Sequence, residues 1–539
     1  MRQLGIIILL FVANICTAQT IDVKGKGEPF LHHWSVGVGA GRVNEGLRAS
    51  WQEHLSLAKE HCGFQYVRMH GLFHDDMFTY FEDKNGNARY NWQYVDDVYD
   101  RLLAKGVRPF VELAFFPLQM SKQDGRKQFW WKANVELEES TYAKWYGLVK
   151  AFTQHVVDRY GLDEVKKWYF EVWNEPNLYN GFFHNTRSEY FRLYKESANA
   201  VKSVDAGLRI GGPATSNFIP DSRHDGEIQD NSLSRFYPQS TINSQQWKGI
   251  WIEDFLKYCS KENLPVDFVS CHPYPTDYAL DPETGKSKGA IRYAKSLFDD
   301  LTWLRGVISK SNYKDAEIHL TEWSSSPNGR DAMHDMLPAA IYIIKVSLDC
   351  INMTNSLMYW TFTDVFEEKG GQESVFQGGF GMINYQGIVK PTFHAFRMLH
   401  KLGDEKLFSN EYAFVSRTAK TGKISAIIYN YPKEYDDRVP SAGDGGHYME
   451  ASEREADLVL KGLPAGAEFD VEVLDDTHGN SYKAYERIGK PRNLTIQQTE
   501  ELKQSGWATI KQKMKADAKG RLVIKQKLAP WTCICITEK

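Results

Sequence analysis

The sequence predicts an α/β protein: a (β/α)8 barrel of the TIM type followed by a C-terminal antiparallel β-sandwich. Three observations carry that prediction. Between Trp34 and Phe362, eight strand-length apolar runs recur, at 33–39, 65–70, 107–113, 168–174, 208–213, 266–272, 316–322 and 356–362. Several are apolar almost throughout, as parallel strands covered on both faces are. Helical patterns separate them, and beyond residue 405 the texture changes to short alternating runs punctuated by turn residues.

The elements follow in order. In 92–105, Val95, Val98, Tyr99, Leu102 and Leu103 form one apolar stripe, and Gly106 can end the helix. In 141–160, Trp145, Val149, Phe152 and Val156 do the same before Gly161. Eight such βα units over roughly 330 residues fit a barrel with insertions. The largest insertion, 216–250, is rich in Asp, Asn, Ser and Gln and follows the fifth strand, which would set it over the barrel mouth. In the second part, runs at 423–431, 457–463, 468–474, 521–527 and 531–537 alternate between apolar and polar residues. Turn signals at Pro464-Ala465-Gly466 and His478-Gly479-Asn480 separate some of them, and 432–454 reads as a long surface loop. The expected division is therefore barrel 19–404 and sandwich 405–539, with 19–32 free to pack on the sandwich.

Residues 1–18 read as a secretory signal. Arg2 supplies the charge, Leu4–Val12 the apolar stretch and Cys16-Thr17-Ala18 the small-residue cleavage site. The run is too short to favour a membrane span, so the expectation is a secreted or periplasmic protein without stable membrane insertion. A formal net charge of −4 with no basic block argues against nucleic acid as a partner. Six cysteines lie beyond the signal, too scattered for a disulfide scaffold, and are expected as buried free thiols. Cys533 and Cys535 share a strand face but lack further ligands for zinc. The oligomeric state is not legible.

Barrel enzymes build their sites at the C-terminal ends of the strands. Polar and aromatic residues collect there: His70 after strand two, Glu112 after three, Asn174-Glu175 after four, His272-Pro273-Tyr274 after six, Glu322 after seven, and Trp360 and Asp364 after eight. A carboxylate at the end of a buried strand is costly and usually kept for chemistry. Two of them, one donating a proton and one attacking, cut a glycosidic bond. The side chains of Trp130 and Trp131 are candidates for lining a sugar channel. His70 and His74 have the spacing of a metal pair, but no carboxylate or thiolate set completes it, and neither metal nor cofactor is expected.

The stretches YVRMHGLFHDDM (66–77), WYFEVWNEPN (168–177), RIGGPATS (209–216), FVSCHPYP (268–275), LTEW (320–323), YWTFTDVFEE (359–368) and FQGGFGMI (376–383) resemble, as an ordered set, glycoside hydrolase family 39. The resemblance spans nearly the whole barrel and extends to the C-terminal sandwich. It implies that Glu175 is the general acid/base and Glu322 the nucleophile of a retaining enzyme. It implies that Asn174 hydrogen-bonds the sugar 2-hydroxyl, and that His70, His272 and Tyr274 line the first sugar site. Trp360 would floor that site, and Glu368 or its neighbour Glu367 would contact sugar hydroxyls. It also implies a cis bond between Trp360 and Thr361. The D-V-F-E-E string is more like the β-xylosidase branch than the α-L-iduronidase branch. The expectation is an exo-acting β-D-xylosidase on oligo- or polysaccharide. Endo action, another sugar, or a non-catalytic carbohydrate-binding barrel are the alternatives.

Overall fold

The structure is a computed structural model that describes residues 18–120, 126–128, 131–135, 137–177, 182–183, 185–216, 251–280, 287–368, 370–441 and 447–539. The expected signal, apart from Ala18, therefore lies outside the described residues. So do Trp130, the side chain of Trp131, and the insertion beyond Ser216.

Eight parallel strands close into a barrel: β1 (Gly37–Arg42), β2 (Tyr66–His70), β3 (Arg108–Leu113), β4 (Tyr169–Val172), β5 (Arg209–Ser216), β6 (Phe268–His272), β7 (Glu317–Trp323) and β8 (Ser356–Tyr359). Each is followed by a helix: α1 (Ala49–Cys62), α2 (Gln93–Ala104), α3 (Glu139–Tyr160), α4 (Arg187–Val204), α5 (Trp251–Lys261), α6 (Ser296–Ser309), α7 (Leu337–Asp349) and α8 (Pro391–His400). The stripe expected on α2 is buried at Val95, Val98, Tyr99 and Leu102, and that on α3 at Trp145, Val149, Phe152 and Val156. Gly106 and Gly161 follow these helices with φ of 69° and 86°, a region where other side chains are strained.

Strand alternation explains how apolar runs carry a polar site. Outward residues such as Val67, Val111, Phe170, Val269, Ile318 and Leu357 join the core under the helices. Inward residues change character along the axis. Phe110, Tyr169, Phe268 and Met358 fill the N-terminal end. One pleat further on come Arg68, Glu112, Glu171, Ser270 and Thr321, all buried. Glycine makes room where this interior is crowded. A Cβ on Gly39 would lie 2.2 Å from the Trp360 ring, and one on Gly211 would lie 2.2 Å from the Phe268 carbonyl oxygen.

Several boundaries differ from expectation, three of them by enough to matter. The first strand begins at Gly37, because His33–Ser35 form a 3-10 turn in which Trp34 stacks on His32. The fifth runs on to Ser216. The eighth ends at Tyr359, after which Phe362 N still donates to the Gly39 carbonyl. The Trp360–Thr361 bond is cis, as are Ala114–Phe115 and Gly212–Pro213.

The C-terminal part is a sandwich of two sheets. Seven strands run in the order Glu28–Pro29, Glu405–Ser409, Ala413–Arg417, Ile424–Tyr429, Cys533–Glu538, Glu468–Leu474 and Ile510–Lys515. Gln19–Asp22, Arg454–Lys461 and Arg521–Leu528 make the second sheet. Their shared core includes Val415, Ile428, Leu458, Ile524 and Ile536. The N-terminal segment therefore supplies a strand to each sheet. The back of the larger sheet, with Phe414, Ile427, Cys533 and Cys535, joins the barrel core. Among the described residues the six cysteines are free and buried. Within the expected surface loop, Lys433–Tyr435 and His447–Glu450 form 3-10 turns. Two helices, Ser481–Arg487 and Ile496–Trp507, were not expected. Their Tyr485 and Leu502 pack on Val375, Phe376 and Ile388 of the segment after β8.

Candidate active site

The site is built around one guanidinium. Arg68 on β2 is fully buried at the barrel axis, and its fork reaches three strands. Nε donates to Glu171 Oε2 at 2.5 Å and Nη1 to Glu322 Oε1 at 2.7 Å. Nη2 donates to Asn174 Oδ1 at 2.9 Å and lies 2.8 Å from Glu112 Oε2. The planar fork matches carboxylates in a way a lysine could not.

Glu175 reaches the site from a turn with left-handed backbone. Its φ is 44°, and Trp173 has φ 70°. Such backbone in a non-glycine residue is held by its surroundings. Glu175 N donates to the Ala214 carbonyl at 2.8 Å, Ser216 N donates to Asn177 Oδ1 at 2.9 Å, and Asn177 Nδ2 donates back to the Ser216 carbonyl. The N-E-P-N turn is thus clamped to the extended end of β5.

The expected residues assemble. Glu175 Oε1 is 3.0 Å from His272 Nδ1, and Tyr274 donates its hydroxyl to Glu322 Oε2 at 3.1 Å. His70 sits 2.7 Å from Glu112 through Nδ1 and 3.4 Å from Glu322 Oε1 through Nε2. Its ring lies against Trp360, centroids 4.6 Å apart. Asn174 has a buried Nδ2 with no partner among the described residues, beside the carboxylate pair. Glu367 is drawn away by Arg48 at 2.6 Å. Glu368 lines a small cavity with Phe366, Phe380 and Gln372, and its charge raises the proton affinity of both Glu175 and Tyr274.

Some expectations are corrected. Asp364 is turned to Lys390 Nζ at 2.7 Å and accepts from Gly381 N at 2.6 Å, which spends its carboxylate on holding the 378–381 backbone. Glu112 is fully enclosed and serves His70 and Arg68. His74 pairs with Asp76 through Nδ1 at 3.0 Å. Three residues absent from the expected set are central: Arg68, Glu171 and Thr321. Their signal was visible, since Arg68 and Glu171 are charged residues inside apolar strand runs.

The two glutamates are unlike. Burial pushes the Glu175 carboxyl well above its ordinary range, and the charge of Glu322 pushes it further. Burial also raises Glu322, but Arg68 and His70 oppose that. Of the pair, Glu322 ionises first and Glu175 keeps the proton. Atoms of Glu175, His272 and Glu322 lie within 4.8 Å of one another, a spacing a cation could use. Arg68 already places a cation on Glu322 and protonation leaves Glu175 neutral, and we assign no metal to these residues.

The chain matches the Glycosyl hydrolases family 39 description over residues 19–236 and 238–523. It is 33% identical over 491 residues to a beta-xylosidase of Geobacillus stearothermophilus, covering 90% of this chain and 88% of that one. A crystal structure of the GH39 enzyme from Xanthomonas axonopodis pv. citri superposes with a TM-score of 0.82 at 29% identity, covering 96% of both chains. A monomeric beta-xylosidase from Caulobacter crescentus CB15 gives 0.81 at 28%, covering 96% of this chain and 99% of that one. With a matching barrel, a matching sandwich and a paired-glutamate site, this chain belongs to glycosyl hydrolase family 39 and is a glycoside hydrolase acting on carbohydrate.

Proposed function

We propose that the protein is a retaining exo-β-glycosidase that removes terminal β-D-xylosyl units by double displacement, with Glu175 as acid/base and Glu322 as nucleophile. The observation that carries this reading is the carboxylate spacing. One oxygen of Glu175 and one of Glu322 lie within 4.8 Å of each other, a close facing arrangement of the kind in which the second carboxylate of a retaining enzyme acts as nucleophile. The named β-xylosidase relatives support the choice of sugar.

In the first step Glu322 attacks the anomeric carbon as the glycosidic bond breaks. Glu175 delivers its proton to the departing oxygen. The glycosyl ester cancels the charge on Glu322, which removes the repulsion that held the proton on Glu175. Glu175 can then take a proton from water as that water attacks the same carbon and Glu322 leaves. The donor on Asn174 Nδ2 suits the sugar 2-hydroxyl, His70 and His272 flank the ring, Trp360 floors it, and Glu368 suits hydroxyls further out. Arg68 and Tyr274 hold the Glu322 oxygens in place.

The test is a panel of nitrophenyl glycosides followed by xylo-oligosaccharides. Xylosides should lead, xylose should be the sole early product, and Glu175→Ala should regain turnover on activated aryl xylosides when azide is added. Retention of near-native turnover by Glu175→Ala and Glu322→Ala would overturn the assignment.

Export is proposed on the leader pattern of residues 1–18. Among the described residues the first paired one, Gln19, directly follows the expected cleavage point. N-terminal sequencing of exported protein should begin at Gln19. The division into barrel and sandwich at 404/405, with residues 19–32 assigned to the sandwich, is proposed on the same pairing.

A further inference from the structure

We propose that Thr321, anchored on Glu171, fixes His272 as the Nε2–H tautomer, so that its bare Nδ1 accepts a hydrogen bond from protonated Glu175 and holds the proton on that carboxyl until the leaving oxygen takes it. This rests on Glu175 being the acid/base.

Donors and acceptors leave little freedom along the chain of contacts. Arg68 Nε can only donate, and it occupies Glu171 Oε2. Thr321 Oγ1 lies 2.8 Å from Glu171 Oε1 and donates its single proton there. Its hydroxyl is then an acceptor towards His272 Nε2, 3.0 Å away, so that nitrogen carries the hydrogen. His272 is neutral, because burial and the charges of Arg68 and His70 press its proton affinity far down. A neutral imidazole has one N–H, so Nδ1 presents a lone pair. The atom facing it, Glu175 Oε1 at 3.0 Å, must supply the hydrogen. All five side chains are buried, so bulk water does not compete.

The arrangement works in both halves of the reaction. While Glu175 is protonated, the lone pair orients the O–H and disfavours its loss. Once the proton has gone to the leaving oxygen, a carboxylate faces a lone pair with no hydrogen between them. That mismatch is relieved when Glu175 takes a proton from the attacking water. The opposite tautomer would donate to the carboxylate and blunt the base. Glu322 from β7, Arg68 and His70 from β2, Tyr274 after β6, Ser216 from β5 and Glu368 after β8 also face this pair. Thr321 adjoins Glu322 in β7, but its hydroxyl bonds only Glu171 and His272, so the Thr321→Val change leaves the side-chain contacts of the others in place. Thr321 is a positioning residue: it acts on the proton through His272 and touches no substrate.

The experiment measures kcat/KM against pH for an aryl xyloside with a poor leaving group, where acid catalysis is needed. In Thr321→Val the imidazole is free to turn its hydrogen to Nδ1 and stabilise the Glu175 carboxylate, so the alkaline limb should move down by about one pH unit. Thr321→Ser should restore it. Histidine 15N spectra of the wild-type enzyme, with the His272 signal identified by its loss in His272→Gln, should show hydrogen on Nε2 and a bare Nδ1. A protonated Nδ1, or an alkaline limb that stays put in Thr321→Val, overturns the proposal. The spectra decide it even where the valine variant fails to fold. Azide rescue of Glu175→Ala separates the two levels. Rescue with an unmoved limb removes the tautomer lock and leaves the acid/base role standing, whereas absence of rescue removes the role itself.

Discussion

Arg68 Nη1 donates to Glu322 Oε1 across 2.7 Å, with the guanidinium sealed from solvent at the centre of the barrel. One cation there answers to Glu322, Glu171 and Glu112. Arg68→Met leaves these buried carboxylates without the cation they share. The expected cost is about 3–5 kcal/mol of stability, as for breaking a buried ion pair, together with a loss of about 10²–10³-fold in kcat/KM. Arg68→Lys should recover little, because a point charge cannot serve a fork. Denaturant titration and steady-state kinetics check both, and a methionine variant with native stability would contradict the assignment.

The raised proton affinity of Glu175 has a stability consequence with a definite sign. An unfolded glutamate releases its proton near pH 4.3, whereas the folded one holds it to higher pH. Above the unfolded value, folding must therefore take up a proton. The contribution of Glu175 is most favourable below that pH and erodes as pH rises towards the folded value, by about 1.4 kcal/mol for each pH unit travelled between the two. Glu175→Gln does not titrate and can still donate to His272 Nδ1. Its melting temperature should gain on the wild type between pH 5 and pH 8. A gap that stays constant across that range would show that the carboxyl is not raised.

Gly39 leaves the room that the Trp360 indole occupies. A methyl group there would sit 2.2 Å from the Trp360 ring. Gly39→Ala should displace the indole, cost about 1–3 kcal/mol and lower kcat/KM, whereas alanine at exposed Gly371, which has open space around it, should do neither. Thermal melts and xyloside kinetics on the two variants make the comparison.

Chelation should leave the enzyme intact. With Arg68 as the cation on Glu322 and Glu175 neutral, the site calls for no further cation. Dialysis against a chelator is expected to preserve kcat/KM, and a loss restored by adding back a divalent metal would require reassigning Glu175, His272 and Glu322.

The barrel was legible because its strands and helices differ in period, and because Gly106 and Gly161 mark helix ends in the sequence itself. The paired glutamates were legible because a charge at the end of an apolar run stands out. Arg68 and Glu171 were as visible, yet they lie inside their runs, and what they do follows only from register. Neighbouring strands must bring Arg68, Glu171 and Thr321 to one level before their purpose appears. Glu367 and Glu368 are adjacent and chemically identical, and a single contact with Arg48 tells them apart. The helices at 481–507 were announced by a Thr495–Gln498 capping box, which the surrounding turn residues obscured. Strand Glu405–Ser409 is mostly half-buried and lacks the clean alternation that marks its neighbours.

Gln19–Asp22 pairs in parallel with Arg454–Lys461, and Glu28–Pro29 lies along Glu405–Ser409. The polypeptide is thus buckled at its two extremities like a belt, with the catalytic wheel held in the loop. The strand Gln19–Asp22 has no berth until Arg454–Lys461, far along the chain, is available to pair with it. A tag or fusion placed upstream of Gln19 would ride on the sandwich edge, far in sequence yet close in space to Arg454–Lys461.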